Sequence, residues 1–333
     1  MNMTLFRNAF LMLGALLAVV ACGGGGGGGS VASGGTGGTG VSSGTVTGFG
    51  SVFVNGVEFD TQTGSVTLDG SSGPDEATDS HRGLKVGMVV KVDGEFDDDG
   101  IHGAATEIEY EDNLEGPVDS ITDIDATTKQ AVVLGQTVIL DKNRTNFEKT
   151  TFDTLVVGNV IEVSGLTDAD GNIRATYVEM KAVSFVSGTT EMEVKGTIKS
   201  LDTGAKTFQI NALTVNYASA DTGDLSGGIP ANGQFVEVKG TSFGAGGELI
   251  ATKVEPEDDG LGVADADEAE IEGYVTAFTS SSQFTVGNQP VETTGSTVFE
   301  GGMAGDIAVG RKLEVEGSLG GGILTATKIE FED

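Results

Sequence analysis

From residue 44 onward the chain alternates apolar and polar residues in four matching stretches, each closing on a glycine: Gly94, Gly165, Gly240 and Gly317. Counting back, the fourth and second residues are Val90/Val92, Ile161/Val163, Val236/Val238 and Leu313/Val315. The third and first are Lys91/Asp93, Glu162/Ser164, Glu237/Lys239 and Glu314/Glu316. Strict alternation predicts a strand with one face in a core and the other in water. A further glycine stands seven residues earlier in every copy (Gly87, Gly158, Gly233, Gly310), and successive copies lie 71, 75 and 77 residues apart. Each copy opens with Gly-x-[Val/Ile] at Gly44, Gly116, Gly196 and Gly273. Each ends with Ala-Thr-x-[Ile/Val]-Glu at Ala105, Ala175, Ala251 and Ala326. Agreement of three motifs in one register marks a tandem repeat.

Within a copy the pattern predicts five strands. In the third they are Val194–Leu201, Thr207–Ile210, Leu213–Tyr217, Gln234–Lys239 and Leu249–Glu255. In the last strand the apolar phase flips after Ala-Thr: Ile173 and Ala175 share one parity and Val178 the other. One extra residue restores the phase, so a β-bulge is predicted at each Ala-Thr. The opening strand shows the same break at Val118/Ile121, Ile198/Leu201 and Val275/Phe278. Bent first and last strands let a small sheet close on itself. Residues 143–154 and their counterparts form a variable third connection, and no amphipathic helix follows Cys22. The expected fold is all-β: four tandem, small, antiparallel five-stranded OB-like β-barrels at 44–112, 113–182, 192–256 and 270–333. Units of roughly 65 residues bury only about 60% of their unfolded surface, so each barrel is marginal alone.

The N-terminal part reads differently. Ala9 to Ala21 is an apolar run of thirteen residues behind a single cation, Arg7. It is shorter than the ~20 residues a spanning helix needs and suits a secretory signal. The ending Val19-Val20-Ala21-Cys22 resembles a bacterial lipobox. That resemblance implies a lipoprotein signal peptide over residues 1–21, diacylglycerol on the Cys22 sulfur, and a membrane partner reached through that lipid. Cys22 is the only cysteine of the chain, which also excludes an intrachain disulfide framework. Residues 22–43, with an unbroken glycine run from Gly23 to Gly29, are expected to form a disordered Gly/Ser/Thr tether of roughly 25 Å mean reach. Gly23, where an Asp would mark retention at the inner membrane, favours the outer membrane of a bacterial cell envelope.

Charge narrows the partners. Fifty Asp and Glu against eighteen Lys and Arg give a net charge of −32. Nucleic acid needs Lys and Arg to displace its counterions, so that class is excluded. Asp97-Asp98-Asp99-Gly100 and Asp168-Ala169-Asp170-Gly171 resemble the start of a calcium loop, making Asp97, Asp99, Asp168 and Asp170 candidate metal ligands. The turn reading outweighs it, because both lie in the hairpin between the fourth and fifth strands and the third and fourth copies carry no carboxylate there. Counting Asp168 as the first loop position, Glu179 is twelfth but stands on a predicted strand. Glu255 to Glu270 holds eight acids in sixteen residues and reads as a self-repelling solvated linker. His81 and His102 are the only imidazoles; Ser80 adjoins His81, yet no G-x-S-x-G elbow is present. Phe208, Phe235 and Phe284 sit at strand positions and read as barrel core.

The opening Gly48-Phe49-Gly50-Ser51-Val52-Phe53-Val54-Asn55-Gly56-Val57 and the Leu-x-Val-Gly…Val-x-Gly strand resemble bacterial lipoproteins with tandem β-rich modules of roughly 70 residues, a family catalogued as a domain of unknown function. The resemblance covers roughly 44–332; the third copy departs from it with Ile229-Pro230-Ala231-Asn232-Gly233. Repetition without a catalytic constellation points to a non-catalytic envelope lipoprotein, needing no cofactor, whose modules bind or scaffold an envelope protein or glycan. Multiplied weak sites would gain avidity. The alternatives are a carboxylate-dependent glycan-acting enzyme with one active repeat, and a purely structural spacer.

Overall fold

The computed structural model describes residues 39–74, 79–258 and 260–332. Strands of the first repeat are β1 (Thr39–Phe49), β2 (Val52–Val54), β3 (Val57–Asp60), β4 (Ser65–Leu68), β5 (Ser71–Ser72), β6 (Val89–Phe96) and β7 (His102–Tyr110). The second has β8 (Leu114–Asp123), β9 (Thr128–Val133), β10 (Gln136–Asp141), β11 (Asn146–Glu148), β12 (Val160–Thr167) and β13 (Ile173–Ala182). The third has β14 (Met192–Thr197), β15 (Lys199–Asp202), β16 (Thr207–Ile210), β17 (Leu213–Asn216), β18 (Phe235–Phe243) and β19 (Leu249–Pro256). The fourth has β20 (Ala266–Ser280), β21 (Gln283–Val286), β22 (Gln289–Glu300), β23 (Lys312–Gly320) and β24 (Ile323–Glu332).

Each repeat closes into a barrel. In the second the circuit runs β8-β9-β10-β13-β12 and back to β8. The first and fourth follow the same circuit. In the third, β14 and β15 together play the part of the opening strand. The short β4 and β11 add parallel pairs with β7 and β13. In each circuit the pair between the third and last strands is also parallel, the one exception there to the expected antiparallel order. The reason is geometric: an odd number of strands cannot close with every neighbour antiparallel. The resulting order is that of an OB barrel.

The repeat motifs have local physical causes. The first glycine of each pair lies in the left-handed region, with φ of 97°, 90°, 88° and 84° at Gly87, Gly158, Gly233 and Gly310. Its N–H donates to the carbonyl of Val46, Val118, Ile198 or Val275 on the opening strand, so the turn locks the fourth strand to the first. The second glycine faces the bulge: a Cβ on Gly240 would stand 2.6 Å from the Ile250 carbonyl oxygen, and Gly94, Gly165 and Gly317 meet the last strand as closely. The bulge predicted at each Ala-Thr is present in all four copies. The bulged Thr106, Thr176, Thr252 and Thr327 each donate through the hydroxyl to the carbonyl of Asp93, Ser164, Lys239 or Glu316, at 2.9, 3.2, 3.1 and 3.2 Å.

Three expectations need correction. Cys22, the signal segment and residues 22–38 of the expected tether lie outside the described residues, whereas Thr39–Ser43 already belong to β1. Those residues are held because β1 pairs with β6 on one side and, in parallel, with β20 on the other, Gly40↔Glu268 through Ser43↔Ile271. The acidic run is not a solvated linker throughout: Glu255 and Pro256 end β19, residues 266–270 open β20, and Glu270 is buried. Finally, the polar face of the repeat strand is not uniformly wet. Glu162, Ser164 and Glu237 are buried, because the barrels press these faces together.

The cores show how closely the barrels are joined. Apolar residues of the second and third barrels form one cluster, in which Leu114 and Val194 are register partners across β8 and β14. Val41 of β1 packs into the core of the fourth barrel, and Tyr177 of β13 into that of the first. Barrels too small to be stable alone thus share their interiors. No described helix is long and apolar enough to cross a membrane.

Candidate functional site

A cavity of ≈ 480 Å³ opens where the first, second and fourth barrels meet. Its floor is the face of β9 and β10 at Thr128, Ile139 and Asp141, and one wall is Arg174 on β13. The corresponding strands, with the connections between the first and second and the fourth and fifth, form the usual ligand face of an OB barrel. The opposite wall is Tyr274 and Lys312 of the fourth barrel. The Arg174 guanidinium lies 5.4 Å from the centre of the Tyr274 ring, a cation–π pair between barrels. Arg174 Nε also donates to Asp168 Oδ2 at 3.1 Å. Lys312 bridges Glu272 at 2.5 Å and Glu332 at 2.7 Å, and Asp141 Oδ1 accepts from the Asn143 N–H at 2.8 Å. Three cations line this space on a chain with only eighteen. The volume falls within the range of small-molecule sites.

The candidate calcium turns are engaged otherwise. Asp99 Oδ1 accepts the N–H groups of Ile101 and His102, both at 3.1 Å, and Oδ2 lies 2.8 Å from His102 Nδ1. That contact holds the Asp99 carboxyl below, and the His102 imidazole above, their ordinary ranges. Asp168 is buried and caps its own hairpin, accepting from the N–H groups of Asp170 and Asn172 and from Arg174. Asp97 accompanies Asp98, Asp267 and Glu268 in an acidic cleft of ≈ 320 Å³, and Asp170 is exposed. His81 stacks on Phe49 with ring centres 4.0 Å apart. Phe208 and Phe284 are core residues, while Phe235 lines a second junction cavity of ≈ 330 Å³.

Several carboxyls on strands or strand ends are pushed above their ordinary range. Burial first, and then contact with Glu193, lifts Glu237 to about 7. Burial and a hydrogen bond with Glu111 lift Glu257 to about 8, with Lys195 opposing. Burial lifts Glu270 to about 8. Smaller clefts lie over the corresponding faces of two other barrels, at Phe49, Asp60 and Gln62 beside β2 and β3 and at Gln283 and Glu292 on β21 and β22. Sequence reasoning missed the composite cavity because its walls come from residues distant in the chain. The OB-like strand order was the one available pointer to its floor.

A chain of closed five-stranded units of OB order, fused through shared cores around composite clefts, is a tandem β-barrel protein. The family described as Domain of unknown function (DUF5666) matches residues 41–109, 115–179, 195–255 and 272–330, and the chain belongs to it. A solved structure described as "drosophila Unr CSD456" is similar at 18% identity, over 66% of this chain and 97% of that one, with a TM-score of 0.17. No curated protein matches the chain.

Proposed function

We propose that this is a non-catalytic lipoprotein of the bacterial cell envelope, anchored through Cys22, whose fused barrels bind a glycan in the cavity between the first, second and fourth barrels. The position of that cavity over the β9–β10 face carries the reading, since OB barrels take oligosaccharides there as well as oligonucleotides, and a charge of −32 disfavours the latter. The half-buried Tyr274 supplies a ring face for a sugar, and Arg174, Lys312 and Asp141 supply polar groups that fix its orientation. A protein partner remains the outcome to look for where no saccharide binds.

Absence of catalysis is supported by the engagement of the cavity's carboxylates: Glu272 and Glu332 hold Lys312, and Asp141 holds its own turn. A glycan-cleaving enzyme instead needs a paired acid and base at an open cleft. A length-determining spacer is disfavoured, because the first barrel folds back to pair with the fourth.

Binding of purified envelope oligosaccharides, followed by calorimetry with product analysis, tests this. Tyr274→Ala should weaken binding about tenfold, in line with ~1–1.5 kcal/mol for a lost aromatic contact, and the saccharide should emerge intact. Wild-type chain that binds no envelope saccharide, or that shortens one, refutes the reading. For the anchor, Cys22→Ser should abolish labelling by a radioactive fatty acid and shift the protein from the membrane to the soluble fraction. Retention of label would refute acylation at Cys22.

A further inference from the structure

Between the first and second barrels, away from the cavity, three carboxylates converge. Asp69 comes from the turn joining β4 and β5, Asp112 from the segment between β7 and β8, and Glu162 from β12. One carboxylate oxygen from each lies within 4.8 Å of the others. Local geometry holds each in place. Asp69 is in the left-handed region at φ 46°, followed by Gly70 at 70°, and its N–H donates to the Tyr110 carbonyl at 2.9 Å. The Asp112 N–H donates to Asp69 Oδ1 at 3.1 Å. Glu162 accepts from the Tyr110 hydroxyl and from Lys181 Nζ, each at 2.6 Å.

Asp112 provides an independent observation. It is 2% exposed, and its Oδ1 is buried without a hydrogen-bond partner. A buried polar atom left unpaired costs on the order of 1–3 kcal/mol, so a native structure normally provides a partner. One ammonium, Lys181, pairs with this three-carboxylate group, which leaves it with excess negative charge.

We propose that Asp69, Asp112 and Glu162 form a calcium site that staples the first barrel to the second. All three donors are hard oxygens, as Ca²⁺ requires, and no imidazole or thiol belongs to the group. Calcium is favoured over magnesium because Ca²⁺ accepts longer and irregular oxygen geometry, completed by water beside the half-buried Asp69, whereas Mg²⁺ demands a near-ideal octahedron. The cation would give Oδ1 of Asp112 its partner, leaving the Tyr110 hydroxyl and Lys181 to orient Glu162 from behind. This inference does not depend on the glycan reading.

Calcium titration of the full chain at pH 7.5 and constant ionic strength, by calorimetry and thermal melting, tests the site. The expected result is one saturable Ca²⁺ per chain and a rise in melting temperature of roughly 5 °C at saturation. Asp112→Asn and Asp69→Asn should each abolish the saturable binding, whereas Asp97→Asn should leave it intact. Failure of the wild type to bind, or an equal rise in both variants, would overturn the proposal in favour of diffuse screening. Loss of binding in Asp97→Asn would place the ion at the hairpin, and saturation by Mg²⁺ alone would refute the assignment to calcium.

Discussion

At pH 8.5 the Glu270→Gln chain should melt roughly 5 °C or more above the wild type, and at pH 5 the two should melt together. Glu270 lies on β20 beneath β1 and accepts from Ser42 Oγ at 3.0 Å, with Asn55 Nδ2 donating in turn to Ser42 Oγ at 3.0 Å. The charged groups nearest to it are acids: Glu268 on its own strand, and Glu314 and Glu316 on β23. Asp97 and Asp98 approach from the hairpin of the first barrel. Lys328, the cation at this surface, is paired with Glu316 at 2.6 Å. Burial therefore lifts the carboxyl from 4.5 to about 8. Between those values the folded chain holds a proton that the unfolded chain has released, so stability falls as pH rises through this window. Glutamine reproduces the protonated acid, still accepts from Ser42, and removes the penalty. For a unit of this size 1 kcal/mol corresponds to about 2–4 °C. Melting curves with the same pH slope in both chains would disprove the assignment.

Val41→Asp should split one cooperative melt into two, or lower it by more than about 10 °C. Val41 belongs to β1, a strand of the first barrel, yet it is 1% exposed and packs with Ala269, Ile271 and Val315 in the fourth. An unpaired carboxylate at that point costs several kcal/mol. The damage falls on the contact between the two barrels, because β1 keeps its pairing with β6 on the other edge. Differential scanning calorimetry distinguishes the cases, and a variant that melts like the wild type would contradict the β1–β20 pairing.

The repeat, its five strands, both classes of glycine and the bulges could be read in the chain because each is a local device whose residues recur four times in register. The packing of one barrel on another could not. Glu162 and Glu237 occupy positions that alternate with core isoleucine and valine, a pattern the same whether the polar face meets water or a neighbouring barrel. Asp112 sits at the boundary between the first two predicted barrels, and Asp69 in a turn. Nothing in the spacing of 69, 112 and 162 indicates that they converge. The cavity is hidden in the same way, since Tyr274 and Arg174 meet only once the fourth barrel returns to the second.

The parallel seam between β1 and β20 also orders events in time. Ser42 and Glu270, which bond across it, are 228 residues apart in sequence, so this contact forms only after the start of the fourth repeat has been made. Until then β1 presents a bare edge, the kind of surface on which chains aggregate or are recognised as incomplete. A product truncated before the last repeat would therefore carry its own mark of immaturity on the first barrel, open to proteolysis.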